Sequence, residues 1–254
     1  MSDDLFAEPP ALPVAPSPDY KQRYVAYLDV LGFSSFVEWI DQHPENRASV
    51  HSVITKLRNT LVKNPHRGAF MFTQFSDCVV LSADRTAEGL AAVIHGALIL
   101  HRNLLGDGFL LRGGIAVGNL THTDDAIFGL GFLKAYAFDK SGSPPRIALS
   151  SDVTADIATY DPTWKWDIVV GADHVDGSPM LNTLYEMEGY GSRPPQAGDL
   201  VLDRPAAQIA QGISSMACNR TLDTRVRAKW IWFRDYWNQA VSKQGILPKS
   251  VWLE

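Results

Sequence analysis

The chain has 254 residues, 46% of them hydrophobic and 20% charged, which is apolar material enough for a full core and too much for a disordered chain. Its 23 Lys+Arg against 28 Asp+Glu give a formal charge of −5, so it exerts no global attraction on nucleic acid or an anionic membrane, and a polyanionic ligand must be held by a local device. Two cysteines, Cys78 and Cys218, are too few for a disulfide framework or a Cys-rich zinc site, and a reducing cytoplasm is the expected compartment.

The acidic start Met1-Ser2-Asp3-Asp4 leads into no basic or apolar leader, so no secretory signal is expected. Five of the fifteen prolines fall between Pro9 and Pro18, which predicts a flexible Pro-rich arm over 1–19. The folded domain is expected from Tyr20. Tyr24–Leu28 is a β-rich run ending in Asp29-Val30-Leu31-Gly32-Phe33. Helical spacing follows at Phe33, Phe36, Val37 and Ile40, and a second helix is expected over Glu45–Lys63. Ala69–Phe75 and Cys78–Ser82 read as a hairpin with Asp77 at or beside its tip. Asp84–Leu105 reads as a long helix; His95, His101, Arg102 and Asn103 interrupt it, leaving it short of the roughly 20 apolar residues of a membrane span.

Phe109–Val117 reads as a buried strand whose Gly113 and Gly114 mark close backbone approach. Thr121–Asp125 reads as a polar loop, Phe128–Asp139 as a helix and Arg146–Leu149 as a strand. This order, βααββαβαβ, predicts an α/β sandwich of mixed sheet and helices. Strands are expected at Lys165–Val170 and Leu184–Met187, and helices at Ala206–Ala217 and Asp223–Ser242. On the last, Val226, Trp230, Phe233 and Trp237 share a face suited to core packing or a dimer contact.

Asp29 and Asp77 stand 48 residues apart, but adjacent central strands would bring them to one sheet edge. Paired carboxylates there suit Mg²⁺ or Mn²⁺, which keep positions open for water and phosphate. The turn Leu31-Gly32-Phe33-Ser34 opens a helix whose amides offer an anion site. Together these are parts for phosphoryl transfer. Arg112, Lys134 and Arg146 are basic residues near these elements; for each a phosphate contact stands beside a salt bridge or solvated face. Phe132 and Tyr136 suit either a base pocket or the core. Cys78 reads as a small buried residue, and His95 and His101 point apart.

Over Tyr24–Leu149, the segments YVAYLDVLGFS, FSDCVV, LRGGIAVG, FGLGFLKAYAFDK and PRIALS, in this order, resemble the catalytic domain of class III nucleotide cyclases. They most resemble the bacterial pyrimidine cyclases of the Pycsar antiphage-defence systems. The resemblance implies an α+β fold, a ferredoxin-like βαββαβ cyclase core over 20–150, with a C-terminal α/β extension over 151–254 packed on the core or a partner. It also implies a homodimer with active sites at the interface and two divalent ions, Mn²⁺ or Mg²⁺, held by Asp29, Asp77 and the Val30 carbonyl. Gly32, Phe33 and Arg112 would contact the substrate, and Thr73 and Leu130 would occupy the base-selecting positions. Neither makes the charged readout used for purines, and the family's transition-state Asn and Arg fall at Leu133 and Ala137.

The expected function is a cytoplasmic pyrimidine cyclase, with UTP preferred over CTP, forming the 3′,5′-cyclic monophosphate plus pyrophosphate as an antiviral signal. A nucleoside triphosphate is the expected partner, with no nucleic acid and no membrane. Two alternatives stay open: a purine cyclase with an atypical base pocket, and a catalytically inactive cyclase-fold scaffold.

Overall fold

The computed structural model describes residues 20–64, 67–140, 144–160, 168–185 and 206–242. The expected arm over 1–19 lies outside these residues. Strand β1 (Lys21–Val30) leads through a two-residue turn to α1 (Phe33–Gln42) and α2 (Arg47–Val62). The hairpin β2 (Met71–Phe75) and β3 (Cys78–Asp84) follows, then α3 (Ala87–Gly106), β4 (Leu111–His122), β5 (Ile127–Phe128), α4 (Leu130–Lys140), β6 (Ile147–Leu149) and α5 (Ser151–Thr159). Strands β7 (Val170–Ala172) and β8 (Pro179–Leu181) and helices α6 (Ala206–Cys218) and α7 (Thr224–Ser242) complete the described chain.

The sheet runs β2-β3-β1-β4-β6-β8-β7, with β5 on β4. Its first four strands are antiparallel throughout. With helices joining β1 to β2 and β3 to β4, they make the ferredoxin-like βαββαβ arrangement. The fold is therefore α+β. β1 lies between β3 and β4, which explains its nearly continuous apolar run: both faces are covered. Tyr24, Ala26, Leu28 and Val30 point to the α2–α3 side, where they join Leu57, Leu61, Leu90 and Leu100. Val25 and Tyr27 point to the α4 side, with Val80, Ala116 and Ala135. Asp29 is next in that second row and gives it a polar end.

The close approach expected at Gly113 is present. Its φ is +143°, and a Cβ there would stand 1.9 Å from the Tyr27 carbonyl oxygen, so a side chain would push β4 off β1. Helix α3 is the one helix among the described residues long and apolar enough to cross a membrane, and most of it is buried within the protein.

Beyond α5, β8 and β7 extend the same sheet from β6. Helices α6 and α7 bring Ile209, Ile213, Trp230, Phe233 and Trp237 onto Leu105, Leu110 and Met180. A buried polar network holds this region. Arg146 pairs with Asp173 and, at 2.8 Å, with Asp176. The Trp232 indole N–H points at Asp173 (3.4 Å), and the Tyr236 hydroxyl donates to Asn182 (2.8 Å). Arg146 is therefore a structural cation.

Several expected elements differ, among them the helix expected from Phe128, which starts at Leu130 because Phe128 pairs in β5. Asp84 ends β3 rather than opening a helix, and Thr86 caps α3 by accepting from the Gly89 N–H. Thr121 and His122 belong to β4 and are buried; β5 pairs with them, so the polar loop begins at Thr123. Leu184 lies in a turn and Tyr185 just after it rather than in a strand, the ladder having been completed by Pro179–Leu181. Residues 186–187 of that expected strand, and 165–167 of the one expected over Lys165–Val170, lie outside the described residues; of the latter's described residues only Val170 is in a strand, where it opens β7.

Candidate metal and nucleotide site

Asp29 is the penultimate residue of β1. Its neighbours across the sheet are Cys78 at the start of β3 and Arg112 near the start of β4. One row thus carries a thiol, a carboxylate and a guanidinium. The two-residue turn Ser76-Asp77 sets Asp77 directly before Cys78, and Ser76 takes a positive φ of 54° to close it. A donor atom from each of Asp29, Asp77 and Cys78 lies within 4.8 Å of the other two.

Asp29 is 9% exposed. Burial raises its carboxyl above the ordinary carboxylate range, against the lowering effects of Cys78 and Arg112. The Cys78 thiol donates to Asp29 Oδ1 (3.2 Å), and the Arg112 guanidinium reaches Asp29 Oδ2 (2.9 Å) and Asp139 Oδ1 of α4 (2.7 Å). Cys78 Sγ also meets the Tyr27 hydroxyl at 3.0 Å. Burial pushes the thiol up to about 12, so it is neutral at neutral pH and acts as a donor. This donor set fits a divalent ion: a cation between two carboxylates relieves the cost of burying Asp29, and hard oxygens match Mg²⁺ or Mn²⁺.

The turn after Asp29 is built by Gly32, which takes φ +78° as the residue before α1. The Leu31 N–H bonds the Leu110 carbonyl (2.8 Å), tying this turn to the strand that carries Arg112. The side chains of Val30 and Phe33 are buried in the core, which leaves their backbone groups for any ligand.

Thr73 lies on the same sheet face, one residue pair along. It pairs with Val80, which pairs with Tyr27. Its hydroxyl meets Nε2 of buried His122 at 2.9 Å, and His122 Nδ1 meets Ser82 Oγ at 2.8 Å. Burial lowers this imidazole to about 4, so it is neutral and offers one donor and one acceptor. Leu130 is exposed on the first turn of α4, as are Leu133 and Ala137 further along.

Of the two readings open for Arg112, the structure shows an ion pair with two carboxylates. Lys134 is exposed and donates to the Val117 carbonyl (3.1 Å), away from Asp29. Phe132 and Tyr136 pack on Tyr27. His95 contacts Asn64, whereas His101 lies against Phe233.

Sequence reasoning missed three groups here. Asp139 sits one turn beyond Tyr136 on α4, so helical spacing from an aromatic that faces Tyr27 was the available signal. Cys78 was read only as packing. Lys229 of α7 lies in the field of Arg112, Asp139 and Asp29, and is lowered by burial and by Arg112. No local pattern links residue 229 to residue 29.

No protein-family model and no curated protein matches the sequence. Among solved structures, the chain is similar to the monomeric guanylyl cyclase domain of the RhoGC fusion protein from the aquatic fungus Blastocladiella emersonii, with 12% identity and a TM-score of 0.44 over 55% of this chain and 86% of that one. It is similar to the adenylyl cyclase CyaB from P. aeruginosa, with 15% identity and a TM-score of 0.42 over 63% and 91%. It is also similar to a class III adenylyl cyclase-like ATP-binding protein from Pseudomonas aeruginosa, with 10% identity and a TM-score of 0.38 over 54% and 34%.

Proposed function

We propose that the chain is a class III-type nucleotide cyclase that converts a pyrimidine nucleoside triphosphate, UTP before CTP, to the 3′,5′-cyclic monophosphate as a signal in antiviral defence. The observation that carries this reading is the meeting of Asp29 and Asp77 at one edge of a ferredoxin-like sheet. Two carboxylates drawn together from distant segments repel each other, and a pair with one buried and one half-buried member is stabilised by bound cations.

In this reading Asp29 and Asp77, with the Val30 carbonyl, hold two Mn²⁺ or Mg²⁺ ions. When bound, these ions favour ionisation of the ribose 3′-hydroxyl and offset charge on the triphosphate. The 3′-oxygen forms a bond to the α-phosphorus as the bond to the β-phosphate oxygen breaks; pyrophosphate leaves and the hydroxyl proton passes to solvent. Arg112, fixed between Asp29 and Asp139, holds the Asp29 carboxylate in orientation. Gly32 and the Phe33 N–H present the opening of α1 to phosphate. Thr73 and Leu130 face the base, and the missing charged readout favours a small pyrimidine. Exposed Phe75, Phe128, Leu130 and Leu133 support an interface with a second copy, where the sites would be completed.

Incubating the protein with each of the four ribonucleoside triphosphates and Mn²⁺, followed by mass identification of products, tests the proposal. Cyclic UMP or CMP, abolished by Asp77→Asn, is the expected result. Exclusive cyclic AMP would replace the pyrimidine reading with a purine cyclase. No product from any triphosphate would leave the inactive scaffold, the reading favoured by the apolar residues at Leu133 and Ala137.

A further inference from the structure

Helix α7 lies far from the cyclase-like motifs in sequence, yet it shares an apolar cluster with residues that flank Asp29 and Arg112. Leu31, two residues after Asp29, joins the apolar cluster of Val226, Trp230, Phe233 and Trp237, as does Leu110, two residues before Arg112. Trp230 and Phe233 are buried, so the turn of α7 that carries Lys229 is anchored in the same apolar cluster as Leu31 and Leu110.

Lys229 is partly buried, and the charges acting on it are Arg112, Asp139, Asp29 and Asp223. Among the described residues it makes no hydrogen bond or ion pair. A partly buried ammonium held without a partner carries a desolvation cost that an anionic ligand would offset. The other cations near the site are engaged: Arg112 by Asp29 and Asp139, Lys134 by the Val117 carbonyl, Arg227 by the Ala217 carbonyl.

We infer that Lys229 of the C-terminal extension binds the polyphosphate of the nucleotide at the Asp29–Asp77 site, making α7 part of the nucleotide site as well as of the core. The inference rests on the triphosphate reading of that site. It assigns Lys229 the substrate-charge role for which neither Leu133 nor Ala137 has a suitable side chain. Because Lys229 sits on a helix anchored by its neighbour Trp230, the charge is preorganised and little chain entropy is lost when the ligand arrives.

Calorimetric titration with Mn²⁺ and the α,β-methylene analogue of UTP, or of whichever triphosphate the wild-type protein cyclises, tests this directly. The same titration with the nucleoside monophosphate is the reference. Lys229→Gln and Lys229→Met, the latter keeping the aliphatic stem, are expected to weaken the triphosphate analogue about ten- to a hundredfold. Monophosphate affinity should change less than about threefold, and Lys229→Arg should restore most of the loss. Equal weakening of both ligands, or no weakening of either, would overturn the assignment and leave the cyclase reading standing. A wild-type protein that binds no triphosphate with Mn²⁺ would overturn the cyclase reading and this inference with it.

Discussion

Acidification is expected to destabilise this protein in part through His101. The ring is 1% exposed in the C-terminal third of α3, 5.8 Å from the Phe233 ring, and burial lowers it to about 4. Its ordinary value is about 6.5. Because the folded-state value is the lower one, the unfolded chain binds the proton first. The neutral ring's contribution is fully present above about pH 6.5 and is lost as the pH falls through about 4. At about 1.36 kcal/mol per tenfold change in proton affinity, the gap corresponds to about 3 kcal/mol, of which about 2 kcal/mol is gone by pH 5. Urea unfolding of wild type and His101→Leu at pH 8 and pH 5 isolates the effect, since every other titrating group is shared. The wild type should lose about 2 kcal/mol more than the variant over that interval. Equal losses would refute the claim that this histidine is buried neutral in the native state.

Other perturbations address the sheet, the core and the site. Gly113→Ala places a Cβ on the Tyr27 carbonyl at a φ that disfavours side chains, and should cost about 3 kcal/mol or more, or prevent folding, as read by thermal denaturation. Trp237→Ala empties a fully buried site shared by α7 and the core; a loss of about 3–5 kcal/mol in the same assay is expected. Iodoacetamide at pH 8, followed by peptide mass analysis, should label exposed Cys218 and spare Cys78, whose thiol is held neutral by burial. Thr73→Val removes the hydroxyl that meets His122, and should alter the UTP-to-CTP rate ratio while changing stability by only about 1 kcal/mol.

The core elements were legible because their periodicities are unambiguous. α1 spans the residues expected of it, the hairpin turns at Ser76-Asp77, and α7 buries the face of Trp230, Phe233 and Trp237. β1 read as a strand because it is a β-rich apolar run. The meeting of Asp29 and Asp77 was legible from their places at strand ends, since hairpin geometry constrains where Asp77 must lie relative to Asp29. Its surroundings were not. Arg112 and Cys78 are placed opposite Asp29 by strand register, and Asp139 and Lys229 by helix packing, which local patterns do not carry. The same limit explains Thr121 and His122: their polar side chains suggested a loop, but His122 is satisfied inside the protein by Thr73 and Ser82. Leu184 read as strand because it is apolar, yet it serves the α6–α7 cluster from a turn.

The central claim is that Asp29 and Asp77 act as one cation-holding pair beneath a polyphosphate. Electron paramagnetic resonance of free Mn²⁺, titrated into the protein with the α,β-methylene triphosphate analogue, measures this most directly. The account predicts that the wild type removes Mn²⁺ from solution in a nucleotide-dependent manner, up to two ions per chain, and that Asp29→Asn and Asp77→Asn each abolish that nucleotide-dependent uptake. Unchanged Mn²⁺ uptake in both folded variants would contradict it.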